Sequence, residues 1–111
     1  MIWSNIRMTL AAGQQKGAID ILTRYRERTR CLIGCLSCRL YYDALEPKAV
    51  MLEEIWSDES ALNRHLASAS YHEVLLVMEM ASASPEVRFV QSSECLGFEK
   101  IEKARDGSSI V

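Results

Sequence analysis

The chain has 111 residues, 49% of them apolar and 25% charged, a composition that fits one globular domain and excludes a second. Thirteen Lys and Arg stand against fifteen Asp and Glu, for a net charge of -2, and no basic block is present to neutralise phosphates, which excludes nucleic acid as the expected partner. No apolar run approaches the ~20 residues that a membrane-spanning helix needs.

Met1-Ile-Trp-Ser-Asn-Ile-Arg7 lacks a basic segment followed by a long apolar stretch, so a cytoplasmic, reducing location is expected and the four cysteines read as thiols. From Ile2 to Leu10 the apolar residues alternate, the period of a half-buried strand. Gly17 to Thr29 places Ile19, Leu22, Tyr25 and Arg26 at three-and-four spacing, which predicts a helix with a charged outer side. Cys35 to Asp43 alternates again, with Leu36, Cys38, Leu40 and Tyr42 opposed to Cys35, Ser37, Arg39 and Tyr41. Pro47 marks a connection. A third strand then runs from Ala49 to Trp56, with Leu52, Glu54 and Trp56 on one face.

Ser57 or Asp58 offers a helix N-cap, and Glu59 suits the positive first turn. Leu62, His65 and Leu66, then Tyr71, Val74, Leu75 and Met78, predict two short helices meeting near Ser70. Pro85 closes that region, and Val87 to Leu96 reads as a fourth strand. Residues 102–111 read as a flexible C-terminal tail on a domain of residues 1–101. The order β-α-β-β-α-β is the ferredoxin-like split βαβ of the α+β class, a four-stranded antiparallel sheet with helices on one face. The other face is left bare, which invites a partner sheet.

Cys31, Cys35 and Cys38 form C-x3-C-x2-C, a spacing that can gather an iron-sulfur cluster. On a regular strand, however, Cys35 and Cys38 point to opposite faces and share no metal. His65 lies on the apolar stripe with Leu62 and Leu66 and so faces the sheet. Its imidazole suits a general base or an orienter, the plainer alternative being a core-edge histidine tied to a carbonyl. Glu54 shares its strand face with Trp56 in apolar surroundings. A buried carboxylate needs a partner, either Arg7 or Arg39 or a donor on a ligand. Trp56 and Tyr71 read as core aromatics, each with a polar tip and a flat face that also suits an aromatic ligand.

The sequence resembles the antibiotic biosynthesis monooxygenase family of the dimeric α+β barrel fold. The resemblance is carried by Ile6-Arg-Met-Thr-Leu10, Gly34-Cys-Leu-Ser-Cys38, Leu40-Tyr-Tyr-Asp43, Glu54-Ile-Trp-Ser57, His65-Leu-Ala-Ser68 with Tyr71, and Pro85-Glu-Val87, across residues 5–101. It implies a homodimer built through the sheet face, and oxidation of a small quinol or dihydroxy-aromatic with O2 and no metal or other cofactor. On this chain it implies His65 as base or orienter, Tyr71 as proton donor and Trp56 as aromatic wall. Glu54 would bond a ligand hydroxyl or His65, and Leu62 and Leu75 would be apolar ligand contacts. Members that cut haem carry an asparagine, a tryptophan and an iron-ligating histidine where Ile6, His65 and Leu75 stand here, which disfavours haem degradation. Some quinone-forming members have tryptophan at the place of His65 and asparagine at that of Ala61. A non-catalytic ligand-binding or stress-response module on the same scaffold is the alternative.

Overall fold

Alternating burial organises the strands. In β1, Ile2–Thr9, the residues Ile2, Ser4, Ile6 and Met8 are buried while Trp3, Asn5, Arg7 and Thr9 face the other way. The computed structural model describes the backbone of residues 1–110 and the side chains of residues 1–106. Helix α1, Gln15–Thr29, buries Ala18, Leu22, Tyr25 and Thr29 at four-three-four spacing, the stripe by which a helix lies on a sheet. Strand β2 is Cys35–Tyr42, and β3, Ala49–Trp56, buries Val50, Leu52, Glu54 and Trp56.

Asp58 caps the next helix by accepting a 2.8 Å bond from the Ala61 amide. Helix α2 is Glu59–Leu66 and α3 is His72–Met78, with a 3-10 turn at Ala69–Tyr71 between them. The break has a local cause: Ser68 is extended and its hydroxyl donates to the His65 carbonyl at 2.6 Å, taking an acceptor that a continuing helix would use. It lets His65 and Tyr71 both turn inward, their rings 5.6 Å apart and edge-on. Strand β4, Glu86–Gln91, ends five residues before the expected Leu96, and helix α4 is Phe98–Ile110. The expected loose tail at 102–111 is therefore helical as far as Ile110, and Val111 lies outside the described residues.

The antiparallel sheet has the order β2-β3-β1-β4, the ferredoxin-like topology of the α+β class, with helices on one face. The main core gathers Ile6, Met8, Leu22, Leu52, Val74 and Val77, and a smaller one gathers Ile2, Trp56, Ala61 and Leu62. Fully burying a side chain such as Leu22 contributes about 1.5–3 kcal/mol. No helix among the described residues is long and apolar enough to cross a membrane.

Strand β2 departs from simple alternation. Cys35 lies opposite Trp56 and Ser37 opposite Ile55, so Leu36 is an extra residue in a bulge. Cys38, opposite Glu54, thus returns to the same face as Cys35, and both pack into the core while Leu36 is exposed. The opposite-face argument against a shared metal fails for this reason. Burial raises the pKa of both thiols, Cys38 far above the ordinary range. Among the described residues, no three His, Cys, Asp or Glu side chains are grouped to hold a metal ion.

Candidate active site

Four side chains from three elements converge at the inner face of β3. Glu54 and Trp56 are two residues apart on that strand, Tyr25 comes from the buried stripe of α1, and His65 from the inner side of α2. Glu54 is 1% exposed and His65 4%. Tyr25 Oη donates to Glu54 Oε2 at 2.6 Å, and Trp56 Nε1 donates to Glu54 Oε1 at 2.9 Å. His65 Nε2 lies 2.5 Å from Tyr25 Oη and 3.5 Å from Glu54 Oε1. The Trp56 and His65 rings lie 4.6 Å apart at 30°.

Hydrogen counting gives the imidazole tautomer that goes with an ionised Glu54. Tyr25 has one hydroxyl proton, and with Glu54 ionised that proton is spent on Oε2. His65 must then donate from Nε2 to Tyr25 Oη, which leaves Nδ1 as a bare lone pair. Nδ1 is buried and has no hydrogen-bond partner within the protein.

Burial shapes the electrostatics throughout. It lowers the His65 pKa and raises that of Glu54, which the Tyr25 and Trp56 donors pull part of the way back. Tyr25 is driven well above the ordinary phenol range, first by burial and then by the Glu54 charge. Tyr71 is pushed up to about 12, again chiefly by burial.

His65 and Trp56 form part of the wall of an open, mainly apolar cleft of about 470 Å³, within the range of small-molecule sites. Ala61, Arg64 and Ser68 line the helix side, and Cys31, Leu32 and Ile33 form the opposite lip. Gly34 holds that lip down: its carbonyl accepts a 2.8 Å bond from the Ser57 amide.

Of the residues expected at a site, His65 and Trp56 line the cleft. Glu54 lies behind them, its partners being Tyr25 and Trp56, not Arg7 or Arg39; Arg7 instead pairs with Asp43 at 3.0 Å. Tyr71 is buried beside His65 and outside the set of residues that line the cleft. Leu62 lines a separate groove with Ile2, Leu66 and Phe89, between α2 and β4. Leu75 does not belong to the inward stripe: Val74 and Val77 are buried, and Leu75 is 46% exposed. The sequence pattern does not single out Tyr25 as a site residue, although its place on the buried stripe of α1, with a hydroxyl to satisfy, is the available signal. The lip residues Cys31 to Ile33 carried no such signal.

The fold is shared with solved structures. A candidate antibiotic biosynthesis monooxygenase from Deinococcus radiodurans superposes with a TM-score of 0.80 at 18% identity, over 88% of this chain and 98% of that one. A Mycobacterium tuberculosis protein gives 0.78 at 21% identity, over 86% and 98%. A conserved protein from Methanosarcina mazei gives 0.77 at 19% identity, over 83% and 92%. No curated protein matches the sequence. The family model for antibiotic biosynthesis monooxygenases matches residues 1–75, from β1 through the His65 helix into α3. The chain belongs to the antibiotic biosynthesis monooxygenase family.

Proposed function

We propose that this protein is a cofactor-independent monooxygenase that oxidises a small quinol-like aromatic with O2, working as a homodimer paired through the outer sheet face. The observation that carries the reading is the buried, unpartnered Nδ1 of His65 on a residue that walls an apolar cleft beside Trp56. A ligand hydroxyl supplies the missing partner, and the Trp56 ring gives a flat wall for an aromatic ligand. Membership of the family supports a monooxygenase-like role.

The chemistry asks for few protein groups. Nδ1 takes the phenolic proton, and the electron-rich phenolate passes an electron to O2. Recombination at a ring carbon bearing hydrogen forms a C–O bond, and protonation gives the hydroperoxide. Cleavage of its O–O bond, with loss of the ring hydrogen as a proton, leaves one oxygen as the quinone carbonyl and releases the other as water. Arg64, at the cleft wall, is a cation suited to the phenolate and peroxide charges.

The test is oxygen uptake by the purified protein over a panel of quinols and anthrones, corrected for autoxidation. The expected result is uptake matched by quinone formation and lost in His65→Ala. No enhancement with any substrate would overturn the monooxygenase reading and leave a ligand-binding module.

A further inference from the structure

We propose that Glu54, reached through the Tyr25 hydroxyl, is the proton store of this site: the proton that His65 takes from a ligand is handed inward and comes to rest on the buried carboxyl. The inference rests on the reading of His65 as the base. Neither Tyr25 nor Glu54 is among the residues that line the cleft, so both act through His65 as positioning residues.

The contacts form a continuous chain. His65 Nε2, Tyr25 Oη and Glu54 Oε2 follow one another at 2.5 and 2.6 Å. In the resting state Nε2–H donates to Oη, Oη–H donates to Oε2, and Nδ1 is bare. When a ligand proton bonds to Nδ1, the Nε2 proton moves to Oη and the former Oη proton moves to Oε2. The result is a neutral imidazole protonated on Nδ1, a neutral tyrosine now donating to Nε2, and a carboxylic acid donating to Oη. Every heavy-atom contact survives with its direction reversed, and Trp56 Nε1 still donates to Oε1. One negative charge has moved from Glu54 to the ligand, and no net charge is made or lost.

Electrostatics favour completing the transfer. A proton that stopped on His65 would leave an imidazolium, a carboxylate and a ligand anion packed together in low-dielectric surroundings. Passing it inward discharges Glu54, which pairs with no Lys or Arg among the described residues and has His65 as its ionic contact, at 3.5 Å. The raised pKa of the buried carboxyl acts in the same direction. Tyr25 holds its proton too firmly to rest as a phenolate, so it serves as a conduit in which one proton arrives as another leaves. The stored proton returns by the same path when the peroxide needs it.

The experiment uses 4-nitrophenol, whose phenolate absorbs visible light, with the full-length protein at a pH where His65 is neutral. Infrared difference spectra of protein labelled with 13C at the glutamate carboxyls report Glu54, and 15N spectra of the imidazole report His65. The expected result is ionised bound probe, a new glutamic acid band, and a neutral His65 whose proton has switched from Nε2 to Nδ1. The band disappears in Tyr25→Phe and Glu54→Gln; the labelled wild-type spectra decide the matter alone if either variant fails to fold. Ionised probe with His65 as imidazolium and no acid band would overturn the relay while leaving the base reading intact. Probe that stays un-ionised, or that does not bind, would overturn both.

Discussion

Gly34 and Ala61 meet at a separation that only a glycine permits: a Cβ on Gly34 would fall 2.6 Å from the Ala61 Cβ. Gly34 also has φ +90°, a left-handed backbone that disfavours a side chain. This contact lays the lip of the cleft against the start of α2. Gly34→Ala should therefore lower stability by about 1–3 kcal/mol, through overpacking and backbone strain together. Denaturant unfolding checks the loss. Combining it with Ala61→Gly should prove less damaging than the sum of the two single changes, because the clash is shared and the strain is not.

Trp56→Phe removes the indole donor from Glu54 Oε1 and leaves that oxygen without it in a buried site. The expected loss from the unsatisfied acceptor is about 1–3 kcal/mol, in addition to lost packing, and its pH dependence isolates the part that rests on the carboxylate charge. Without the donor, the folded-state pKa of Glu54 rises further above the ordinary 4.5. The folded variant then binds more protons than its unfolded chain over a wider window, so its stability falls as pH rises from 4.5 through the raised value. Below that window Glu54 is protonated in both states, and what persists is the packing loss together with the bond that Trp56 gives to the neutral carboxyl. Urea titrations of both proteins across the acid range read the difference directly.

The sequence pattern made the frame readable because period-two and three-four spacing both arise from burying one face. Val50, Leu52, Glu54 and Trp56 turn inward as alternation demands, and the helix break falls at Ser68 to Ser70. A bulge leaves no mark in such a pattern, since an extra residue at Leu36 looks like any other member of the alternation, and the faces of Cys35 and Cys38 were misjudged for that reason. Leu75 departs from its expected inward place because five consecutive apolar residues, Val74 to Met78, fit several stripes of a short helix equally well. His65, Glu54 and Trp56 could each be singled out from local pattern, but their meeting with Tyr25 depends on where α1 crosses the sheet, which no single segment encodes.

His65 sets a pH dependence whose direction follows from burial. Desolvation lowers its pKa below the ordinary 6.5, so the neutral base persists at pH values where a free imidazole is charged. The acidic limb of kcat/KM should therefore lie below pH 6.5, with a flat profile through neutrality. His65→Ala should abolish that limb and reduce the rate by roughly a hundredfold or more, the low end for a general base. A limb above 6.5 would assign the titration to another group.

The outer sheet face carries an apolar row across three strands, where Trp3 lies between Ile55 and Val90. Val90 is 52% exposed there, and a stable paired interface would bury about 1,200–2,000 Å² in total. Ile55→Lys places a charge in the middle of this row while leaving its inward neighbour Trp56 on Glu54. Desolvating an unpaired ammonium costs several kcal/mol, and each 1.4 kcal/mol is tenfold in affinity, so dissociation should become at least about a hundredfold easier. Light scattering on size-exclusion eluates at micromolar concentration should show twice the chain mass for the wild type and the single chain mass for the variant, with unchanged circular dichroism. Because Ile55 faces away from the helices, a variant that became monomeric yet kept the His65 acidic limb would show the cleft to be complete within one subunit. A wild type already monomeric at that concentration would remove the sheet-to-sheet pairing.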